Sequence, residues 1–406
     1  MVKCWCGCDD VEPFSDAYVR CKHCKTLISL QTADVKKEVE KSSLDNDALY
    51  GADYWKKHML EMAHVETLDE YADMYLNGRA AYWMNCVLKY KLGHGKAIEI
   101  ASGLGQMSYL LKNAGFDVTA MELSQEICDW IHAKMFVPVQ AGEFVEEKDK
   151  YDLIIANDLL EHLTDPVSWV AAVSNSLKKD GVLVIQTPCY DGTSSYQEMV
   201  DSNARFLLLM IPDEHLYLFT KDSLKELFAR FGLNVEFEDA YFGNNYDMFS
   251  FSSKTKLRVN TKKSIDEYLY SYPEGRLLKV MLEVFSEKKV LEREKHELEK
   301  RLIHYDKDVK FLNKAVEDER DEVEKQKKEL EGLKDYPFLN GMLTNEKRRR
   351  LYTYIAQYES DPKAIRKAIS LLEKHRECNN DITQDDVKLL LEYSKKYIDL
   401  LSLIRG

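Results

Sequence analysis

The chain has no apolar run approaching the ~20 residues that a membrane-spanning helix needs. Its first residues, Met1-Val2-Lys3-Cys4, lack the apolar stretch of a secretory signal, so a soluble, cytoplasmic location is expected. Basic residues are also in short supply: 57 Lys and Arg face 70 Asp and Glu, for a net charge of -13. Neutralising nucleic-acid phosphates takes clustered Lys and Arg, so a nucleic-acid partner is disfavoured and a small or glycan-like substrate fits better. Cysteine is sparse except in one place. Cys4, Cys6, Cys8, Cys21 and Cys24 crowd the N-terminus, while Cys86, Cys128, Cys189 and Cys378 are scattered. That clustering points to a metal rather than to a disulfide framework.

Cys4-x-Cys6-x-Cys8 and Cys21-Lys-His-Cys24 form two short knuckles. Four thiolates in tetrahedral geometry suit structural zinc, and a ribbon this small could not fold on apolar burial alone. Cys4, Cys6, Cys21 and Cys24 are the expected ligands, with Cys8 able to replace either partner in its knuckle. Four protein ligands leave no open position, so this metal is expected to be structural.

Composition divides the chain into a zinc ribbon (1–30), a polar linker (31–49), an α/β domain (50–255), a connector (256–280), a coiled coil (281–335) and a helical end domain (336–406). In the α/β part, Lys96-Ala-Ile-Glu-Ile-Ala, Phe116-Asp-Val-Thr-Ala-Met-Glu, Tyr151-Asp-Leu-Ile-Ile-Ala and Gly181-Val-Leu-Val-Ile-Gln read as buried strands separated by helices. This is the signature of βαβ units and a parallel, Rossmann-like sheet. Asp165-Pro166 marks a helix start, and the helix is expected over 166–179, leading into a strand at 182–186. Farther on, Leu302, Val309, Val316, Val323 and Leu330 recur at heptad spacing, with Leu291, Leu298, Tyr305 and Leu312 as the companion series. A coiled coil joining copies of the chain follows from that repeat.

The turn Glu99-Ile-Ala-Ser-Gly103-Leu-Gly105 follows the first strand of the domain, where a nucleotide-like ligand meets an α/β sheet. Glu122 closes the next strand, where a carboxylate accepts the hydroxyls of a free ribose. Glu143, after the third strand, can bond an adenine amino group.

Together with Ala156-Asn-Asp158-Leu-Leu-Glu-His162-Leu-Thr-Asp-Pro166 and Leu177-Lys-Lys-Asp-Gly-Val-Leu-Val-Ile-Gln-Thr-Pro188, these strings resemble class I S-adenosylmethionine (SAM) dependent methyltransferases. The resemblance covers residues 50–250 and is closest to the branch holding ubiquinone-biosynthesis O-methyltransferases and sugar methyltransferases. It implies SAM as cofactor, with Glu99 and Gly103 near its methionine part and Glu122 on the ribose. Ala101, Gly105 and Leu123 belong to the same cofactor-binding set, and Asn157 and Asp158 line the methionine or substrate side. Ala101 stands at the family's usual first glycine, which an alanine tolerates at negative φ. His162 is a further candidate, and Tyr50 and Tyr54 are expected to form a lid.

Nucleotide-sugar C-methyltransferases, which are similar, also carry a zinc-binding segment before the SAM domain. Their Glu-His-Leu segment matches Glu214-His215-Leu216, and His215 corresponds to their catalytic histidine. Pro212 stands where they have a catalytic tyrosine, which favours O-methylation. A histidine with a near-neutral pKa can take a hydroxyl proton, so His215 is the expected general base, oriented by Glu214 or another carboxylate such as Asp247. The expected function is methyl transfer to a sugar hydroxyl of a nucleotide sugar or surface polysaccharide. The rival readings are C-methylation of a keto-sugar, or a scaffold that recruits a glycosyltransferase through the coiled coil.

Overall fold

The computed structural model describes residues 3–32 and 64–334. The chain divides into two compact units, residues 1–291 and 292–406. Tyr50, Tyr54 and the end domain at 336–406 lie outside the described residues. Among those described, no helix is long and apolar enough to cross a membrane.

The N-terminal segment forms three short antiparallel strands: β1 (Val11–Pro13), β2 (Tyr18–Cys21) and β3 (Leu27–Ser29). From residue 64 onward come helix α1 (Leu68–Tyr75), one π-helical turn over Leu76–Ala80, and α2 (Ala81–Tyr90). The main sheet then begins: β4 (Lys96–Ile100), α3 (Gln106–Asn113), β5 (Asp117–Glu122), α4 (Gln125–Met135), β6 (Val139–Ala141), β7 (Tyr151–Asn157), α5 (Pro166–Ser176) and β8 (Leu177–Pro188). An excursion with α6 (Tyr196–Asp201) and β9 (Tyr217–Leu218) leads to α7 (Lys221–Ala229), β10 (Asn234–Glu238) and β11 (Asp247–Ser253). Helices α8 (Lys262–Tyr270) and α9 (Pro273–Lys334) follow.

The seven strands run in the order β10-β11-β8-β7-β4-β5-β6. Strands β4 to β8 are mutually parallel, and β11 and β10 close one edge antiparallel. The chain winds outward from β4 through β5 and β6, then returns to β7 on the other side. That reversal opens a crevice beyond the carboxyl ends of β4 and β7.

Each strand alternates its side chains between two faces. Leu153, Ile155, Val182 and Val184 pack with residues of α2, α3 and α9, whereas Ile154, Ala156, Leu183 and Ile185 pack with those of α5 and α7 and with Ile28 of the N-terminal strands. The core therefore has one layer on each face of the sheet; the N-terminal segment joins one of them through Ile28 and, through Tyr18 and Leu27, forms a third cluster with Tyr190, Met199, Phe206 and Leu218.

Helix α5 starts as expected, with the Asp165 side chain accepting from Ser168 N and Pro166 at the first helical position. It ends at Ser176 rather than 179, because β8 begins at Leu177 and takes Lys178-Lys179-Asp180 into extended backbone. Residues 256–280 hold α8 and the first turns of α9, where Leu269 and Leu278 are buried in the core. Along α9, Leu277, Val284, Leu291, Leu298 and Leu302 are exposed.

Candidate active site

The cofactor side of the crevice is built from backbone and two carboxylates. After β4 the chain passes through three left-handed residues, Ala101 (φ 52°), Gly103 (φ 54°) and Gly105 (φ 72°). Gly105 has a second reason to lack a side chain, since a Cβ there would sit 2.9 Å from Ile131. The negative φ expected at Ala101 is not what the fold adopts. The turn is left-handed at this position, and alanine carries about 1 kcal/mol of strain there.

Glu99 Oε2 accepts from the N–H (2.7 Å) and hydroxyl (2.6 Å) of Ser108, tying β4 to the first turn of α3. Burial pushes this carboxyl up to about 7, against the pull of the Ser108 bonds. Glu122 accepts from Gly103 N at Oε2 (3.0 Å) and from Leu123 N at Oε1 (2.8 Å), so the loop hangs from the end of β5. Burial raises its pKa, and these backbone N–H groups partly offset that. Gly142 donates to the Glu122 carbonyl, which sets Glu143, exposed, just beyond β6.

Around this loop several buried polar atoms have no hydrogen-bond partner: Ser102 Oγ, Gln106 Nε2, and both Oδ1 and Nδ2 of Asn157. An unpartnered buried polar atom costs about 1–3 kcal/mol, so such a cluster marks where a polar ligand belongs. Two carboxylates and orphaned amides beside a close-approaching glycine turn fit SAM, which brings ribose hydroxyls, an amino-acid end and a positive sulfonium.

The opposite side contains a residue that sequence reasoning missed. Arg79, on the π-helical turn, is buried, with Asp158 accepting from it at 2.9 and 3.1 Å, Tyr75 OH at 3.1 Å, and Gln186 Oε1 also within reach. Its guanidinium lies over Trp83 (4.6 Å), Phe242 (5.2 Å) and Tyr75 (5.9 Å). Burial works against the charge, but Asp158, Tyr75 and Asp247 outweigh it and keep Arg79 protonated. The available signal was an arginine inside the aromatic, small-residue stretch Gly78-Arg-Ala-Ala-Tyr-Trp83, and π-helical turns often fall at functional sites. Asp247, at the start of β11, lies 3.9 Å from Arg79. Burial and then Asp158 push its carboxyl up to about 7, against Arg79 and Arg205.

His215 is buried and its ring lies 4.8 Å from that of His162, edge to face. The expected orienting carboxylate is replaced by a backbone group. His215 Nδ1 donates to the Leu209 carbonyl at 2.6 Å, which leaves Nε2 with its lone pair. Asp247 belongs instead to the Arg79 group, and Glu214 contributes its backbone carbonyl to His162. Burial, then His215, push His162 down to about 3. The N-terminal strands hold this segment. Strand β9 adds to β3 as the fourth strand of their sheet, Tyr18 OH donates to the His215 carbonyl (3.0 Å), and Ser29 OH donates to that of Pro212 (2.5 Å).

Cys4, Cys6, Cys21 and Cys24 come together as the spacing anticipates, with Sγ–Sγ distances of 3.5 Å (Cys4–Cys24) and 3.7 Å (Cys6–Cys21). Cys8 points elsewhere, toward the Asp10 carbonyl.

The reversing parallel sheet with its antiparallel edge, the glycine turn after β4 and the acidic end of β5 define a class I SAM-dependent methyltransferase fold. Comparison with known proteins agrees: residues 75–237 match the family model described as a methyltransferase domain. The ubiquinone biosynthesis O-methyltransferase of Actinobacillus pleuropneumoniae serotype 7 (strain AP76) is 28% identical over 130 residues, 29% of this chain and 55% of that protein. The chain thus spans about half the length of that relative. A methyltransferase of Staphylococcus carnosus (strain TM300) is 22% identical over 174 residues, 41% of this chain and 82% of that one. Among solved structures, magnesium protoporphyrin IX methyltransferase from Synechocystis with bound SAH overlaps 52% of this chain and 100% of its own, at 12% identity and a TM-score of 0.38.

Proposed function

We propose that this protein transfers a methyl group from SAM to a hydroxyl of a sugar-type acceptor. The observation that carries the reading is the set of unpartnered buried atoms on Ser102, Gln106 and Asn157 beside the carboxylates of Glu99 and Glu122. When bound, SAM supplies an electrophilic methyl on a sulfonium. Glu122 holds the ribose, Asn157 and Ser102 take the amino-acid end, and His215 Nε2 accepts the acceptor's hydroxyl proton. Proton removal by a placed histidine contributes roughly 10² to 10⁴ fold. An O-methylation is supported by the curated relative's name, and a sugar by the acidic chain and the Glu214-His215-Leu216 segment. Calorimetry with SAM and its demethylated product, followed by mass spectrometry of nucleotide sugars and glycans incubated with labelled SAM, tests both parts. No SAM binding sinks the reading, and label found only on non-sugar hydroxyls sinks the acceptor.

The four-cysteine cluster is read as a structural zinc site. Tetrahedral Zn–S bonds of about 2.3 Å place sulfurs about 3.8 Å apart, close to the spacing here. Metal analysis of the purified protein checks this, and zinc-free folded protein refutes it. The exposed leucines and valines of α9 support self-association as a coiled coil. Sedimentation of the whole chain against one ending at residue 291, which keeps the buried first turns of α9, measures it.

A further inference from the structure

We propose that the acceptor is a nucleoside diphosphate sugar rather than a finished polysaccharide, with its phosphate held by Arg205 at the mouth of the crevice and its sugar hydroxyls meeting Trp83, Gln186 and Asp247 inside. This rests on the methyl-transfer reading and narrows it.

The inner part follows from orphaned atoms. Around the Arg79 guanidinium, Arg79 Nε, Trp83 Nε1, Gln186 Nε2 and Asp247 Oδ2 are buried without a hydrogen-bond partner, and all four residues are more than nine-tenths buried. They form a set apart from Ser102, Gln106 and Asn157 of the cofactor side: three N–H donors and one carboxylate oxygen. A hydroxyl satisfies both kinds, because it accepts and donates at once. An anion fits poorly there. Burial, then Asp158, hold the Glu161 carboxyl well above the usual range, and Asp247 adds to this. Arg79 is already shared between the two aspartates, so a phosphate among them would meet carboxyls that already resist ionising.

The rim is different. Arg205 is exposed and opens the short 3₁₀ turn Arg205–Leu209. Its contacts among the described residues are with rings rather than carboxylates: the guanidinium lies 4.9 Å over Tyr246 and 5.9 Å from the ring of Phe242, in the loop before β11. Stacking of this kind orients the planar group and leaves its N–H fork free, the arrangement in which arginine grips a phosphate through two bonds. Phe242 joins rim and interior, since Arg79 lies 5.2 Å over the same ring. The Asp247 carboxyl, raised by burial and Asp158, is lowered by Arg79 and Arg205, which places Arg205 close to the inner set. The turn that begins with Arg205 ends at Leu209, whose carbonyl accepts from His215. One short segment thus carries both the group that takes the hydroxyl proton and the cation for the phosphate.

The test uses the full chain with zinc, saturated with SAH, the demethylated product of SAM. Calorimetry follows its titration with UDP, GDP and dTDP, with inorganic pyrophosphate, and with glucuronate, a sugar carboxylate free of phosphate. At least one diphosphate is expected to bind, and glucuronate is not. Arg205→Met should weaken diphosphate binding roughly 10- to 100-fold. Arg205→Lys should weaken it less, because the charge remains without the fork, and Phe242→Ala by about 2- to 5-fold. SAH affinity at the wild-type value shows that each variant is folded. If SAH binds but no diphosphate or pyrophosphate does, if glucuronate binds as tightly, or if Arg205→Met binds diphosphate as the wild type does, the proposal is overturned while the methyl-transfer reading stands. Diphosphate binding without SAH binding would keep the Arg205 site and remove the methyl-transfer reading.

Discussion

The two walls of the crevice are made differently. On the cofactor side, Glu99 reaches Ser108 and Glu122 reaches Gly103 and Leu123, all within one stretch of chain, and most partners are backbone N–H groups. On the opposite side, Arg79, Asp158, Gln186 and Asp247 meet from four separate elements, and Tyr18 reaches His215 from the far end of the unit. The first wall follows from one β-α-β unit, β4 to the end of β5. The second exists only when the whole unit is assembled, and it concentrates charge in a buried place.

The contrast can be broken most forcefully at Arg79. Arg79→Met keeps the length and packing but leaves Asp158 and Asp247 without their buried cation, so a loss of about 3–5 kcal/mol in denaturant unfolding is expected. Glu99→Gln, which keeps its Ser108 contacts, should cost far less. Equal losses would show that the walls do not differ in this way.

Asp247 gives the next effect. Its folded pKa, about 7, lies above the ordinary aspartate value, so between about pH 4 and 7 the folded chain holds a proton that the unfolded chain has released. Stability from this group is therefore present at low pH and lost as pH rises through 7. Asp247→Asn should flatten that slope and raise stability at pH 8 by on the order of 1–3 kcal/mol, read from melting curves at pH 5 and pH 8. A variant less stable at pH 8 than wild type would mean that the Arg79 pairing outweighs burial.

Tyr18→Phe strips the His215 carbonyl of a buried donor. We expect a loss of about 1–2 kcal/mol and lower turnover with SAM affinity unchanged, so the two walls would separate in kinetics and calorimetry. A drop in SAM affinity equal to the drop in turnover would contradict that separation. The smallest effect belongs to the cofactor wall: Ala101→Gly relieves a left-handed alanine and should stabilise the protein by about 0.5–1 kcal/mol. A loss of stability would show that the Ala101 methyl packs usefully.

The same contrast decides what could be read from the sequence. Strands β4, β5 and β7 begin and end within a residue or two of their apolar runs, because burial on both faces leaves a local signature. The four cysteines, the glycine turn and Glu122 were legible for the same reason, since spacing alone defines them. Arg79 was not: its helix reads as ordinary, and what buries it are aspartates far away in the chain. His215 was found through resemblance, but its partner at Leu209 was not, because a carbonyl carries no mark in the sequence. Ala101 was misjudged because the left-handed turn is imposed by the loop's attachment to Glu122, not by the residue that occupies it.

The shared strand has a consequence for how the protein is made. Leu27 and Ile28 pair with Leu218 and Tyr217, so the sheet begun by the first thirty residues stays open at one edge until the chain has been synthesised past residue 218. Exposed strand edges invite pairing with other chains, and a gap this long is slow to close. The edge of β3 that β9 covers is therefore the last side of the N-terminal sheet to find its partner as the chain emerges.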